Sequence, residues 1–119
     1  MARYTRSLKV TAPADYLQPL LVSTLQSCNF ETIYTTDDYL MARETPGEIP
    51  FPKLVTVEVL IDNSTTSHDE THLNFVIKNE ELPLQANNHC YQMYDRVSRA
   101  LEDNEHWELV ESVAGLEAS

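Results

Sequence analysis

Two runs of alternating apolar and polar residues lie near the middle of the chain. In residues 55–61 and again in residues 73–77, every second side chain is a Val, Ile, Leu or Phe. A period of two places alternate side chains on opposite faces of a β-strand. Residues 62–70 between the runs are polar and rich in turn formers, which indicates a hairpin loop. One apolar and one polar face is typical of antiparallel pairing, so the pattern predicts an antiparallel hairpin around which the rest of the chain packs.

Other extended segments follow from the same alternation and from aromatic and β-branched residues. Residues 3–11 predict a first strand, and residues 30–34 and 39–44 predict a second hairpin. Residues 106–110 predict either a sixth, edge strand or a tail strapped onto the body. Three cations lie on the first strand, near its polar face or an edge, where such residues protect against edge-to-edge pairing. They are Arg3, Arg6 and Lys9.

Helical spacing of apolar residues predicts two helices. The first begins after Thr11, a candidate cap, and ends near Asn29, a candidate left-handed C-cap. Pro19 lies inside it and predicts either a kink or two short helices. The second runs from about Gln85 to Asp103, with Asn87 or Asn88 as its cap. Its predicted buried stripe consists of Cys90, Met93, Tyr94, Val97, Ala100 and Leu101.

Residues 45–52 contain three prolines and one of the two glycines, so they predict a loop without regular structure. Ile49 and Phe51 are unusual apolar residues for such a loop. They are expected to lie on the core, with a small exposed docking surface as the alternative.

The predicted order is β-α-β-β-β-β-α followed by an extended tail. Antiparallel strands with helices on one face define an α+β, two-layer domain in which a long C-terminal helix packs on a curved sheet. The 119 residues fit one domain, predicted over residues 3–113, with a frayed tail at 114–119.

This order resembles that of TATA-binding-protein-like and helix-grip domains, and the chain looks like a small START-like (polyketide cyclase-like) protein. The resemblance rests on the first strand leading into residues 12–17, the helix interrupted at Pro19, the antiparallel strands and the C-terminal helix at 85–103. It covers residues 3–103. The overall texture also resembles small uncharacterised cyanobacterial proteins. The predicted sheet has two strands fewer than the usual helix-grip sheet, which argues against a large internal cavity.

The chain is strongly acidic, with 19 Asp and Glu against 8 Lys and Arg and a formal net charge of −11. Such a charge disfavours nucleic acids and anionic membrane surfaces as partners, although the simplest role of the charge is solubility. Cys28 and Cys90 fall on apolar helix faces, which indicates buried, reduced thiols and a cytoplasmic protein. The start of the chain shows no signal peptide, and no apolar run approaches membrane-spanning length.

Three sets of residues resemble catalytic or metal-binding motifs, but none of them has the spacing or the environment that such a site requires. The segment His68-Asp69-Glu70-Thr71-His72 resembles the HExxH zinc motif, but it has Asp in the place of Glu and lies in a loop entering a strand. Cys90 follows His89, but neighbouring helix residues do not face each other. Glu80-Glu81 and Asp37-Asp38 occur in polar turns, where solvated acids are the simpler interpretation. The sequence therefore predicts no catalytic set, no metal and no cofactor.

The remaining candidates are aromatic and apolar residues that suit either a core boundary or a contact surface. We expect a non-enzymatic interaction or adaptor domain with a protein partner, or with a second copy of the chain. The alternative is a helix-grip carrier of an apolar small molecule between sheet and C-terminal helix, and a cyclase- or hydrolase-type enzyme ranks last. The candidate contact residues are Tyr34, Tyr39, Ile49, Phe51, Tyr91, Tyr94 and Trp107.

Overall fold

The computed structural model of the protein describes residues 1–11, 14–62, 70–82, 88–104 and 107–115. These residues form six strands, two helices and one 3₁₀ turn, in the α+β class that the alternation predicts. The elements are β1 (Ala2–Thr11), α1 (Ala14–Ser27), β2 (Phe30–Thr35), β3 (Tyr39–Glu44), the 3₁₀ turn (Phe51–Lys53), β4 (Thr56–Asp62), β5 (Glu70–Asn79), α2 (His89–Glu102) and β6 (Glu108–Ala114).

All strands pair antiparallel in one sheet of order β2-β3-β4-β5-β1-β6. β1 therefore lies inside the sheet, between β5 and β6, and the expectation that its cations protect an edge is wrong. The final segment is an edge strand, which settles the choice between a strand and a strapped tail. β6 also extends to Ala114, and the Gly115 N–H donates to the Thr5 carbonyl at 2.9 Å, so the chain is held beyond the point where fraying was expected.

One face of the sheet is covered by the helices. Alternate residues of the central strands, such as Val59, Phe75 and Leu8, are at most 1% exposed. They form one apolar cluster with helix residues such as Leu21 and Val97. Both strands of the central hairpin contribute side chains to this cluster, while α1 packs chiefly on β2, and α2 packs on β1 and β5. Burial of these side chains supplies the main driving force of folding.

The opposite face of the sheet carries no helix among the described residues. We call it the open face, and register places its side chains in rows across the strands. It comprises Arg3, Thr5, Ser7, Lys9, Thr11, Glu31, Tyr34, Tyr39, Met41, Arg43, Thr56, Glu58, Leu60, Asp62, Glu70, His72, Asn74, Val76, Lys78, Glu111 and Val113.

The helix ends follow local chemistry. α1 is one continuous helix through Pro19, so the prediction of two short helices is wrong. Asn29 follows it with φ of 73°, which confirms the predicted left-handed cap. α2 begins at His89, with the Asn88 side chain accepting the Tyr91 N–H at 2.9 Å, and residues 85–87 of the predicted helix lie outside the described residues.

Three sequence-based placements need correction. Arg6 shares the helix-covered face with Leu8 rather than the polar face, because it occupies the same alternate positions of β1. Glu102, which is not part of the predicted buried stripe of α2, is half-buried against Arg6, with Arg6 Nη1 3.3 Å from Glu102 Oε2. Ser98 is buried on the stripe of α2, whereas Ala100 is only partly buried.

Candidate functional site

A row of basic residues crosses one end of the open face. Arg3 on β1 pairs in register with Lys78 on β5, Lys78 pairs with Thr56 on β4, and Thr56 pairs with Arg43 on β3. Neighbouring strands are about 4.8 Å apart, so three cations lie within four adjacent strands. We call Arg3, Lys78 and Arg43 the basic row.

A pocket of about 390 Å³ opens beside the basic row and is open to solvent on one side. Arg43 and Lys78 supply its positive charge, and Glu80 supplies a negative one. The rest of the lining mixes apolar groups with a hydroxyl and an amide, which is the composition of a site for an amphipathic group. The lining consists of Met1, Arg43, Phe51, Pro52, Leu54, Thr56, Lys78, Asn79 and Glu80.

The 3₁₀ turn that brings Phe51 to this pocket is anchored by backbone hydrogen bonds. The Leu54 N–H donates to the Phe51 carbonyl at 3.1 Å, and the Glu80 N–H donates to the Pro52 carbonyl at 3.2 Å. The Asn79 amide donates to the Lys53 carbonyl at 3.0 Å. Phe51 is nevertheless 79% exposed. The expectation that it lies on the core is therefore wrong, because the turn directs its ring into solvent, while Ile49 is partly buried.

The charges of the basic row are only partly compensated. Like charges placed opposite each other on neighbouring strands, as Arg3 and Lys78 are, destabilise a sheet. Glu58 offsets this by an ion pair with the Lys78 ammonium group. The hydrogen bond from Lys78, together with one from Tyr39 and the positive charge of Arg3, lowers the pKa of Glu58 despite its partial burial. Arg43 takes part in no ion pair with any described residue, but Glu31 on β2 lies opposite it in register.

Tyr39 connects the basic row to the apolar part of the open face. Its hydroxyl donates to Glu58 Oε2 at 2.8 Å. Burial, followed by this hydrogen bond and the nearby carboxylate charge, raises the pKa of Tyr39 to about 12. Its ring lies 6.0 Å from that of Tyr34, which is exposed, as is Leu60 at 51%. The structure thus brings two predicted contact residues, Tyr34 and Tyr39, together on the open face.

The other predicted aromatic residues lie elsewhere. Tyr91 and Tyr94 on α2 meet Tyr4 of β1, with ring centroids 5.3 Å from that of Tyr4, on the helix-covered side of the sheet. Tyr94 is buried, and Tyr91 is exposed. The indole N–H of Trp107, which is buried, donates to the Leu101 carbonyl at 2.9 Å. The seven predicted contact residues therefore do not form one groove.

A second polar cluster lies at the start of α2. His89 Nε2 is 2.8 Å from Glu44 Oε1 and 2.9 Å from Oε2, and Glu44 is 4% exposed. Glu81 accepts the backbone N–H groups of His89 and Cys90, at 3.1 and 2.8 Å. Burial raises the pKa of Glu81, but the hydrogen bonds from Asn79, Cys90 and His89 outweigh it, and the net effect is to lower the pKa. Glu81 is thus a helix cap and not the freely solvated acid that the sequence suggested.

Cys90 is fully buried, and its thiol contacts the carbonyl oxygens of Ala2 and Ile77 at 3.8 and 3.6 Å. His89 is directed instead at Glu44, so the two residues form no nucleophile–base pair, in agreement with helix geometry. Cys28 is also buried, and the two cysteines form no disulfide with each other. Burial, partly offset by a hydrogen bond with Ser27, raises the pKa of Cys28, which makes this thiol a poor nucleophile.

Within the described ranges, no three His, Cys, Asp or Glu side chains gather as a metal ion would require. His68 and Asp69 of the HDETH segment lie outside those ranges, as does His106. His72 lies on β5, in register with Lys9 and Asp62. No helix of the described chain is long and apolar enough to cross a bilayer.

Sequence reasoning missed most of the pocket, although it had singled out Phe51 as an unusual loop residue. The alternation already assigns Lys78, Thr56 and Arg43 to polar strand positions. It gives no information on which strands are neighbours, and the basic row exists only because β3, β4, β5 and β1 are adjacent. A signal for the buried Glu44 was present, since it occupies the same alternate positions as Leu40 and Ala42.

No family model matches the chain, and no curated protein matches it either. Among solved structures, one similar chain is a conserved protein from Geobacillus kaustophilus. It shares 12% sequence identity with this chain, with a TM-score of 0.32, and the match covers 90% of this chain and 99% of that one. At that TM-score the similarity carries no argument about fold family or function.

Proposed function

We propose that this protein is a non-enzymatic interaction domain that docks an acidic protein partner on the open face of its sheet. The observation that carries the proposal is the combination, on that face, of exposed apolar side chains with a row of cations in a chain of net charge −11. A compact positive region on an acidic protein favours a partner of opposite charge and discriminates against others.

The apolar part of the open face supports the same assignment. Tyr34 and Leu60 each expose about half of their surface, and the Tyr39 ring lies beside that of Tyr34. An apolar patch with charged residues at its edge is typical of a protein-binding surface. Tyrosines are frequent anchors at such surfaces because they combine a large apolar ring with a hydroxyl group.

The alternative function is a START-like, helix-grip carrier that holds an apolar molecule between sheet and C-terminal helix. The packing argues against it, because Phe75, Val97 and Leu101 between the sheet and α2 are at most 1% exposed. The pocket described above lies on the other side of the sheet. In the described part of the chain, the acid–base pair with a buried member is Glu44 and His89. This pair joins β3 to α2 and so has a structural role, which disfavours an enzymatic function.

The proposal is tested by affinity capture from an extract of the native cells, with mass spectrometry of proteins and of extracted small molecules. The wild type is compared with Leu60→Asp, which places a negative charge in the apolar patch. The matched control is Tyr16→Asp, which places the same charge at an exposed position of α1. We expect a stoichiometric protein that is retained by the wild type and by Tyr16→Asp and lost by Leu60→Asp.

Circular dichroism and urea denaturation confirm that each variant is folded. Equal retention by all three proteins would overturn the proposal. A co-purifying apolar molecule without a protein would instead favour the carrier. Light scattering of the purified chain covers a remaining alternative: a dimer that Leu60→Asp dissociates would identify the partner as a second copy.

A further inference from the structure

The pocket beside the basic row suggests what the partner presents to it. We infer that it receives an acidic side chain of an extended partner segment between Arg43 and Lys78, while an adjacent apolar side chain of that segment packs on Phe51. This inference rests on the proposed function and names the chemistry of its partner.

The charge distribution supports an acidic ligand. Of the eight Lys and Arg residues in the chain, four are at or beside the pocket, since Lys53 directly follows Pro52 in the lining and Arg3 completes the basic row. Three acids, Glu31, Glu58 and Glu80, are close to them, so the local balance is positive, at four cations against three acids, while the whole chain is strongly negative.

Arg43 is the cation best suited to bind a carboxylate. It is exposed and makes no ion pair with a described residue, whereas Lys78 already binds Glu58. A guanidinium group can bind a carboxylate through two parallel hydrogen bonds, which adds directionality to the attraction. The Thr56 hydroxyl, which lies between Arg43 and Lys78 in register, offers a further donor in the same lining.

Phe51 supplies the apolar half of the site. Its ring is 79% exposed, but the backbone of the turn that carries it is anchored by hydrogen bonds. The ring therefore loses little conformational entropy when a partner covers it. Leu54 and Pro52 extend the apolar lining beside it. Exposed rings on rigid supports are typical of the residues that contribute most of the binding energy at protein interfaces.

The shape of the pocket favours a segment of a protein over a free small molecule. Its volume of about 390 Å³ is near the lower end of the range for small-molecule sites, roughly 300–1,000 Å³. It is open to solvent and continuous with the open face through Thr56 and Lys78. One or two side chains fit inside it, while the rest of the partner segment lies over the sheet.

The test uses the purified full chain and a fluorescein-labelled octapeptide, Gly-Ser-Glu-Leu-Glu-Leu-Gly-Ser, with binding followed by fluorescence anisotropy. The control peptide has Lys in place of both Glu residues. We expect saturable binding of the acidic peptide, weakened about fivefold by Arg43→Ala, which is the size of effect of one partly exposed ion pair. Phe51→Ala is expected to weaken binding at least as much.

Arg96→Ala, which removes an exposed cation on α2 away from the pocket, is the matched control and is expected to leave the affinity unchanged. Arg43→Glu is expected to abolish binding of the acidic peptide and to create binding of the Lys peptide. Equal weakening by Arg43→Ala and Arg96→Ala would overturn the inference, because it would reflect net charge alone.

Sodium acetate is also tested as a competitor. If it displaces the peptide at concentrations similar to that of the peptide, the inference is overturned, because the site then binds free anions. The absence of saturable peptide binding would likewise overturn the inference. The proposed function would still stand if the wild type captures a partner that Leu60→Asp loses. Loss of both would reject the open face as a docking surface.

Discussion

His89 and the buried Glu44, 45 positions apart in the chain, are in hydrogen-bond contact, which joins the first turn of α2 to the last residue of β3. The carboxylate also accepts the Val55 N–H at 3.1 Å, so it is hydrogen-bonded from two sides. A buried carboxylate with these partners positions the helix on the sheet, because a displaced helix would leave the charge without compensation.

We expect His89→Ala to lower the free energy of unfolding by about 2 kcal/mol, because it leaves the buried Glu44 carboxylate without one of its hydrogen-bond partners. The measurement is urea denaturation of the wild type, His89→Ala, Glu44→Gln and the double variant. The double variant is expected to lose less than the sum of the single variants, with a coupling of roughly 2 kcal/mol. Additive losses would show that the two side chains do not stabilise the protein as a pair.

The Glu81 cap predicts a pH dependence of stability. Because the folded state lowers the pKa of Glu81 below its ordinary value of 4.5, the folded protein binds fewer protons than the unfolded chain in that range. The stabilisation is complete well above pH 4.5 and is lost as the pH falls through the lowered folded-state pKa. Urea denaturation between about pH 7 and about pH 3, an interval that brackets this ordinary value, is expected to show a smaller loss of stability in acid for Glu81→Gln than for the wild type. Identical slopes in both proteins would argue against the cap.

Tyr39 is expected to titrate well above an ordinary tyrosine. Ultraviolet absorbance titrations of the wild type and of Tyr39→Phe isolate its contribution, which is expected at a pKa of about 12. The stability that this raised pKa contributes is present below pH 10 and is lost as the pH rises toward 12. Glu58→Gln removes the acceptor charge and is expected to lower the pKa of Tyr39. Ionisation of Tyr39 near its ordinary value of 10.0 would contradict the hydrogen bond to Glu58.

Asn29 ends α1 in the left-handed region, and its carbonyl accepts the Thr45 N–H at 2.9 Å. Asn29→Ala is expected to destabilise the protein by about 1 kcal/mol, because a Cβ without a compensating polar group is unfavourable there. Asn29→Gly is the matched control and is expected to change stability by only a few tenths of a kcal/mol in either direction. Thermal and urea denaturation measure both variants, and equal stabilities for Ala and Gly would contradict the role of backbone conformation.

Much of the local structure could be predicted because it depends on neighbouring residues alone. The alternation in residues 55–61 and 73–77 assigned the buried and open faces of β4 and β5 correctly. The hairpin arm Tyr39–Glu44 has the bounds expected from its turn signals, and Asn29 and Asn88 cap the helices as their side chains suggest. In each case the relevant interaction lies within a few residues of sequence.

The candidate site was accessible from the sequence only in fragments. Phe51 was noticed as an unusual loop residue, but nothing in the sequence placed it beside Arg43. Phe51 was expected on the core because apolar residues are usually buried, whereas hydrogen bonds of the turn hold its ring in solvent. Arg6 was likewise expected on the polar face, although its position in the alternation already placed it beside Leu8.

The sequence by itself therefore determined the class of fold, the identity of the strands and the side of each strand that is buried, because hydrophobic burial acts on a periodic local pattern. Only the tertiary structure decided that β1 lies between β5 and β6, that Glu44 meets His89, and that Arg3, Lys78 and Arg43 form one row beside Phe51. These relationships join residues that are far apart in the chain, and they depend on which strands become neighbours when the sheet forms.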